Sequence, residues 1–255
     1  MSSPPKPLLD WLEAQIFGGA PFEDVVGRVP DFSDDQAYAA RAELVRRRVA
    51  AGDALAGYKV AGSSLAVRKD EHVEGPIMGC IMRSRVLGER VPAIAGRRAI
   101  EAEIGVLVGK DLSGPGVNLI DAHAAVEGAF PAFEILSMRE GPRPSHPARI
   151  VASNFAGAFA FGETLKPLHG LDLRSEGVVL SVNGEVRGSA TAIEVLGHPL
   201  RAVAFVANQL ARVGQSLRAG MVVMTGSILA NAAVAAADRV EARFSRLGDL
   251  SIVVP

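Results

Sequence analysis

Residues 98–109 read RAIEAEIGVLVG, and this stretch decides the fold. Its first half alternates between apolar and polar residues and its second half is continuously apolar, which is typical of a strand buried on at least one face. Glu101 and Glu103 stand two positions apart in it, so a strand directs both carboxylates to the same face. Like charges at this spacing repel each other, and burial raises the cost. The stretch therefore requires either a solvated face or a counter-charge.

A third acid occurs in a similar setting. Glu134 is the only charged residue in AFPAFEILSM, residues 129–138. In one interpretation, the glutamates of the first stretch face solvent while Ile100, Ala102 and Ile104 face the core. In the other, the three carboxylates bind one divalent cation of the hard class, Mg²⁺, Mn²⁺ or Ca²⁺, which prefers oxygen ligands. The spacing alone leaves these two interpretations balanced.

The composition argues against several classes of partner. The 255 residues carry a formal net charge of -1, which gives no basic surface for nucleic acid or for an anionic membrane. The longest stretch of low polarity, ILANAAVAAA at 228–237, has about half the length of a membrane span. Cys80 is the only cysteine and no segment resembles a secretory signal, so we expect a cytoplasmic protein. Small molecules are the expected partners.

Local signals divide the chain near residue 55. Helices are predicted over 5–19 and over 33–52, the second with Ser33 as N-cap and Gln36 completing a capping box. From residue 57 onward, short β-branched runs are separated by glycine and proline, which indicates strands and loops. We therefore expect a helical segment over residues 1–55 and a core over residues 56–255.

The core contains strand signals and a few helix signals without regular alternation. Asn183-Gly184 predicts a tight hairpin. Further elements are predicted as helices over 119–130, ended by Pro131, and over 197–214, a strand over 221–227 and a final hairpin over 238–254. This pattern predicts an α+β protein with a mixed or antiparallel sheet rather than a doubly wound fold.

Seven short motifs in this order resemble the metal-dependent hydratases and decarboxylases of aromatic meta-cleavage pathways, in the fumarylacetoacetase-like superfamily. They are GYKV (57–60), IEAEI (100–104), KDLSGPG (110–116), PAFE (131–134), NGE (183–185), LGHPL (196–200) and LRAGMVVMTGS (217–227). The resemblance covers nearly the whole chain. It implies a fumarylacetoacetase C-terminal-like fold, with a mixed β-sheet roll or sandwich and an N-terminal helical appendage.

The resemblance also implies the roles of four residues. Glu101, Glu103 and Glu134 are similar to the Mg²⁺ or Mn²⁺ ligands of the family, and Lys59 is similar to an active-site lysine. The substrate implied is a short 2-oxo or 2-hydroxydienoic acid, and Lys59 would hold its C1 carboxylate or pass a proton to the dienolate. From the local pattern alone, Lys59 is an ordinary strand-end lysine with its amine in water.

Substrate-binding candidates follow from the same comparison with the family pattern. Thr225 and Ser227 lie in a segment similar to the family's TGS, whose hydroxyls and backbone N–H groups would bind substrate oxygens, although a strand-ending turn has the same pattern. Arg139, with Arg83 and Arg85 as alternatives, would pair with a carboxylate, and Asn154 is a further candidate. The sequence departs from the family pattern at Ala61-Gly62-Ser63-Ser64, Ser137 and Ser153.

One loop separates two branches of the family. Hydratases typically carry PDFG or PDYG there and decarboxylases often carry PIYG, whereas this chain has Pro76-Ile77-Met78-Gly79. An apolar residue at this position favours loss of CO₂ over addition of water. We therefore expect decarboxylation of a 2-oxo-3-enedioate of the 4-oxalocrotonate type through a metal-chelated dienolate.

Two other functions remain open. One is hydration of 2-hydroxypenta-2,4-dienoate, and the other is a low-activity scaffold or partner subunit for a sister lyase. A homo-oligomer, with or without a sister hydratase or decarboxylase, is implied by the resemblance only.

Overall fold

The structure is a computed structural model, and it describes residues 4–17, 23–64, 75–88, 94, 96–138, 144–152 and 157–255. Within these ranges the helices are α1 (Lys6–Phe17), α2 (Val25–Arg28), α3 (Asp34–Ala50), α4 (Leu119–Ala125), α5 (His146–Ala152) and α6 (Leu200–Arg212). The strands are β1 (Leu55–Ala61), β2 (Ile77–Met82), β3 (Arg97–Val108), β4 (Val126–Met138), β5 (Ala158–Phe161), β6 (Lys166–Pro167), β7 (Gly177–Val182), β8 (Glu185–Thr191), β9 (Val222–Ser227), β10 (Ala232–Val234), β11 (Arg239–Phe244) and β12 (Asp249–Val253).

The strands form two sheets. The larger has the order β2-β1-β9-β3-β4-β5, with β10 paired to β3 and β6 paired to β4. Strands β1 and β9 run parallel, and every other neighbouring pair of described strands is antiparallel. The smaller sheet, β12-β11-β7-β8, is antiparallel throughout. The mixed sheet and the few helices confirm the predicted α+β class.

The helices α1 to α3 precede the sheets but share their hydrophobic core. Leu12 of α1 and Leu44 of α3 belong to the same buried cluster as Ile100 of β3. The predicted boundary near residue 55 coincides with the start of β1. The division into two separate units stays a prediction. In the ranges that the structure describes, no helix has the length and apolarity needed to cross a membrane.

Several local predictions are confirmed by backbone geometry. The Ser33 hydroxyl accepts a hydrogen bond from the Gln36 backbone N–H at 3.3 Å, and the Gln36 side chain accepts one from the Ser33 backbone N–H at 2.8 Å. The turn between β7 and β8 places Asn183 at φ 52° and Gly184 at φ 83°, as a type I′ hairpin turn requires. The predicted helix α6, strand β9 and final hairpin also form.

The helix predicted over 119–130 is wrong in its second half. It ends at Ala125, and β4 begins at the next residue and continues through Pro131. Strand β4 pairs with β3 along nearly its whole length, and this long-range pairing outweighs the local helical pattern. The Pro131 carbonyl accepts a hydrogen bond from the Gly162 N–H at 2.8 Å, and Gly162 directly follows the last residue of β5. Pro131 therefore lies opposite the end of β5, and the N–H that proline lacks would have pointed there.

A bulge in β9 shapes the centre of the larger sheet. Glu103 pairs with Ser227 and Gly105 pairs with Met224, so β9 has one more residue than β3 over this interval. Gly226 lies in the bulge with a φ of +110°, and a Cβ atom there would stand 2.1 Å from the Ser63 hydroxyl oxygen. The bulge therefore requires glycine for both its backbone angle and its close packing.

Replacing Gly226 tests this requirement. We expect Gly226→Ala to lower the free energy of unfolding by about 3 kcal/mol, because backbone strain and a steric clash act together. Gly220→Ala is the matched control, since its φ is +83° but nothing lies within 4 Å of the added carbon; it should cost about 1 kcal/mol. Urea unfolding measures both values, and equal losses would contradict the role assigned to the bulge.

Candidate metal centre

The register of β3 and β4 brings three glutamates to one face of the sheet. Glu101 stands directly opposite Glu134, and Glu103 follows two residues further along β3. One carboxylate oxygen from each of the three lies within 4.8 Å of the other two. Glu103 and Glu134 have no exposed surface, and Glu101 is half-buried.

The interpretation that places these glutamates on a solvated face is therefore wrong. The opposite side of β3 is buried as well, since Ile100, Ala102 and Ile104 have no exposed surface. Around the glutamates β3 is therefore covered on both faces, with Glu103 fully buried and Glu101 half-buried by the same sheet that buries the apolar residues.

Lys59 is the cation placed among these acids. Its ammonium nitrogen lies 3.3 Å from Oε1 of Glu134, and the residue is only 4% exposed. The expectation from the local pattern alone, an amine in water, is wrong. Lys59 is aligned by β1, where it pairs with Gly79 on one side and Met224 on the other.

The charges around Glu103 do not balance. At an effective dielectric constant near 20, two unit charges 4.8 Å apart repel by roughly 3 kcal/mol. One ammonium offsets about one of the three pairwise repulsions, so the cluster keeps an excess of negative charge. Burial raises the pKa of Glu103 well above its ordinary value, and Glu134 and Glu101 raise it further; Lys59 and a backbone N–H lower it only in part.

The carboxylate of Glu103 also has an unused oxygen. Its Oε2 accepts a hydrogen bond from the Gly226 N–H at 2.8 Å. Its Oε1 is buried, and no group in the described part of the chain donates to it. Three converging carboxylates with a buried oxygen that lacks a donor match the hard oxygen ligands that Mg²⁺, Mn²⁺ and Ca²⁺ prefer. The residues thus fit a divalent cation.

The predicted substrate-binding hydroxyls lie beside the glutamates but already donate to the protein. Thr225 donates to the Ile104 carbonyl at 2.9 Å, and Ser227 donates to the Leu229 carbonyl at 2.6 Å. Only their oxygen lone pairs remain for a ligand. The Gly226 N–H, expected to bind a substrate oxygen, donates to Glu103 instead.

The other candidates either lie outside the described ranges or have no contact with the glutamates that supports a role in the site. Arg139, Asn154 and Ser153 lie outside the described residues. Arg85 donates from Nε to the Gly157 carbonyl at 2.6 Å, and Arg83 is exposed. The sequence pattern did not single out Ser63, which packs against Gly226; its only signal was its position in a segment that departs from the family pattern.

Comparisons with known proteins show what this chain is similar to. The fumarylacetoacetate (FAA) hydrolase C-terminal family model matches residues 31–254. A 4-oxalocrotonate decarboxylase of Pseudomonas putida is 33% identical over 231 residues, which cover 89% of this chain and 88% of that protein. A 2-keto-4-pentenoate hydratase of Paraburkholderia xenovorans is 30% identical over 236 residues, which cover 91% of this chain and 88% of that protein.

Two solved structures are similar over almost the entire chain. The 4-oxalocrotonate decarboxylase from Pseudomonas putida G7, complexed with magnesium and adipate, superposes with a TM-score of 0.87 at 30% identity and covers 98% of this chain and 96% of that chain. The same enzyme complexed with calcium and acetate gives a TM-score of 0.85 at 32% identity, with the same coverage.

Because the glutamates carry excess negative charge, we expect a neutral residue at Glu103 to stabilise the metal-free protein. Below the ordinary Glu pKa of 4.5, Glu103 is protonated in both the folded and the unfolded chain, so its ionisation does not lower the free energy of unfolding. As pH rises above that value the unfolded chain releases the proton first, so the free energy of unfolding falls. We expect Glu103→Gln to be more stable than wild type at pH 7 without metal, with the difference vanishing near pH 4.

Glu176→Gln is the matched control, because Glu176 is equally buried but accepts hydrogen bonds from the Arg246 side chain and the Arg246 and Leu247 backbone N–H groups. Its loss should destabilise the protein by about 2 kcal/mol. Urea unfolding in excess chelator measures both variants. A Glu103→Gln protein less stable than wild type at pH 7 would show that the cluster carries no uncompensated charge.

Proposed function

Because the chain belongs to the fumarylacetoacetate (FAA) hydrolase C-terminal family, we propose that it is a divalent-metal-dependent lyase that decarboxylates a 2-oxo-3-enedioate of the 4-oxalocrotonate type. The observation that carries this proposal is the buried cluster of Glu101, Glu103 and Glu134 with Lys59 beside it. Relatives named as decarboxylases and as hydratases support this class of chemistry to a similar degree.

Glu101, Glu103 and Glu134 would hold the cation, which we propose to be Mg²⁺ or Mn²⁺. When bound, such an ion supplies Lewis-acid polarisation of the substrate's oxygens. The protein prepares this site by fixing one oxygen of Glu103 with the Gly226 N–H and leaving the other without a donor among the described residues. Glu103 and Glu134 have no exposed surface, so their charges act at a lower dielectric constant than in water.

Lys59 would act on the substrate's proton or carboxylate. In decarboxylation the bond between the distal carboxylate and the chain breaks, CO₂ leaves, and the electron pair moves along the conjugated chain to the C2 oxygen. A buried ammonium next to the acids can hold the C1 carboxylate or exchange a proton with the dienolate. The pairing of Lys59 in β1 and its contact with Glu134 support this proposed role.

The substrate's remaining contacts belong to residues whose roles stay predictions. Thr225 and Ser227 can offer oxygen lone pairs from the end of β9, since their protons are engaged with backbone carbonyls. We propose Arg139 and Asn154 as further substrate ligands, from the family pattern alone.

The placement of Ile77 supports decarboxylation over hydration. Ile77 pairs with Ala61, which lies two residues beyond Lys59 in β1, so all three side-chain positions belong to one face of the sheet. Ile77 is 1% exposed and offers no group that could orient or deprotonate water. The second candidate is the hydratase of 2-hydroxypenta-2,4-dienoate, which the hydratase relatives favour. The third, a low-activity partner subunit, would keep the fold without turnover.

We also propose a cytoplasmic location and a homo-oligomeric state, with or without a sister lyase. Both follow from the sequence pattern and the family resemblance.

Direct assay separates the three functions. With excess Mg²⁺, we expect CO₂ release from 2-oxohex-3-enedioate and no metal-dependent hydration of 2-hydroxypenta-2,4-dienoate. Lys59→Met should lower kcat by about a hundredfold or more, because a proton-transfer group is lost. The control Lys166→Met removes an exposed lysine and should leave kcat unchanged.

Hydration of the dienol without CO₂ release would overturn the decarboxylase proposal in favour of the hydratase. Absence of both reactions, together with stable co-purification of a partner lyase, would identify a scaffold subunit.

A further inference from the structure

A buried arginine lies on the opposite side of the sheet from the glutamates. Arg41 of α3 is 3% exposed. Its guanidinium carbon lies 4.8 Å from the centre of the Tyr38 ring, and its one hydrogen bond within the described residues is a long contact of 3.5 Å to the Ile150 carbonyl. No carboxylate in that part of the chain forms an ion pair with it. Arginine keeps its charge in proteins, so Arg41 is a buried cation without a counter-ion among the described residues.

This arginine lines a cavity between α3, β1, β2 and α6. The polar part of its wall comes from Arg41, Tyr38, Tyr58, Cys80 and Gln215, and the cavity has a volume of about 40 Å³. A single water needs roughly 10 to 15 Å³ of such space, so the cavity accommodates a molecule of a few heavy atoms.

The cavity is separate from the candidate metal centre. Tyr58 pairs with Cys80, and the adjacent pair in the same two strands is Lys59 with Gly79. Because successive residues of a strand point to opposite faces, the side chains that line the cavity project away from the face that carries Lys59 and the glutamates. The sheet itself stands between the two sites.

None of the titratable groups in the cavity wall can neutralise Arg41. Burial raises the pKa of the Tyr58 hydroxyl to about 12 and that of the Cys80 thiol to about 11, so both stay protonated at neutral pH. The Tyr38 hydroxyl accepts a hydrogen bond from the Met78 N–H at 3.3 Å, which leaves its own proton available. The wall therefore presents a positive charge and several donors to one small space.

The rest of the wall is apolar. Val45, Leu210 and Val213 contribute aliphatic surface to the same cavity. A strongly hydrated anion such as phosphate would have to exchange its water for these side chains, which is unfavourable. A guanidinium pairs best with the planar fork of a carboxylate, and an attached alkyl group would contact the aliphatic wall.

We propose that this cavity binds a short aliphatic monocarboxylate of roughly two to four carbons, with its carboxylate on Arg41 and its alkyl group against Val45, Leu210 and Val213. The proposal does not depend on the proposed lyase reaction, since the cavity and the glutamates lie on opposite faces of the sheet.

Propionate labelled with ¹³C at its carboxyl carbon is the probe. The full chain is titrated in excess chelator, so that no metal at the glutamates attracts the carboxylate. We expect saturable binding to wild type and at least tenfold weaker binding to Arg41→Met. Arg46→Met is the matched control on the same helix, because the Arg46 side chain is 70% exposed, and it should bind propionate like wild type. Lys59→Met should also bind normally.

A second variant keeps the test decisive if Arg41→Met fails to fold. Ala42→Leu retains the arginine but fills part of the cavity, since Ala42 is one of its wall residues, and it should weaken propionate binding at least tenfold. Chloride and formate, as anions without an alkyl group, should compete less well than propionate itself.

Three results would overturn the proposal: wild type that does not bind propionate, variants of Arg41 and Ala42 that bind it like wild type, or chloride that displaces it as effectively as unlabelled propionate. The first two deny a ligand in this cavity, and the third indicates a bare halide site. None of them bears on turnover of a dienoic acid, so failure here is distinguishable from failure of the lyase proposal.

Discussion

Repulsion among three carboxylates, two of them fully buried and one half-buried, is the constraint on which the rest of this structure depends. A single register between β3 and β4 places Glu101 opposite Glu134 and sets Glu103 on the same face. The two strands are covered on both sides, so the sheet cannot turn these acids toward water without losing its core. The fold therefore holds a local arrangement that is unfavourable by itself, and a cation is the simplest group that makes it favourable.

The surrounding backbone is arranged to hold this charge rather than to disperse it. The bulge at Gly226 turns one N–H toward Glu103, and the parallel pairing of β1 with β9 carries Lys59 to Glu134. Each of these two contacts offsets part of the negative charge and fixes one glutamate in place. Neither contact removes the excess negative charge. We therefore expect the same residues to destabilise the metal-free chain and to suit a divalent ion. On the far side of the sheet Arg41 shows the same imbalance with the opposite sign.

Local sequence signals predicted much of this fold because they report local chemistry. Three predicted features depend on residues that are close in sequence, and all three form. They are the capping box at Ser33, the turn at Asn183-Gly184 and the strand around Glu101. The strand from Val126 was missed because long pairing with β3 decides it, and no local window contains that partner. The bond from Gly226 to Glu103 and the burial of Arg41 are long-range features of the same kind.

The site residues also divide into those that local sequence indicated and those that depend on distant strands. The spacing of Glu101 and Glu103 indicated a shared face, whereas the depth of Lys59 depended on strands that are distant in sequence. The most direct test of the central claim is an anomalous difference map from crystals of the protein soaked in Mn²⁺. We expect one strong peak in contact with a carboxylate oxygen from each of Glu101, Glu103 and Glu134. A map with the acids well ordered and no peak among them would contradict it.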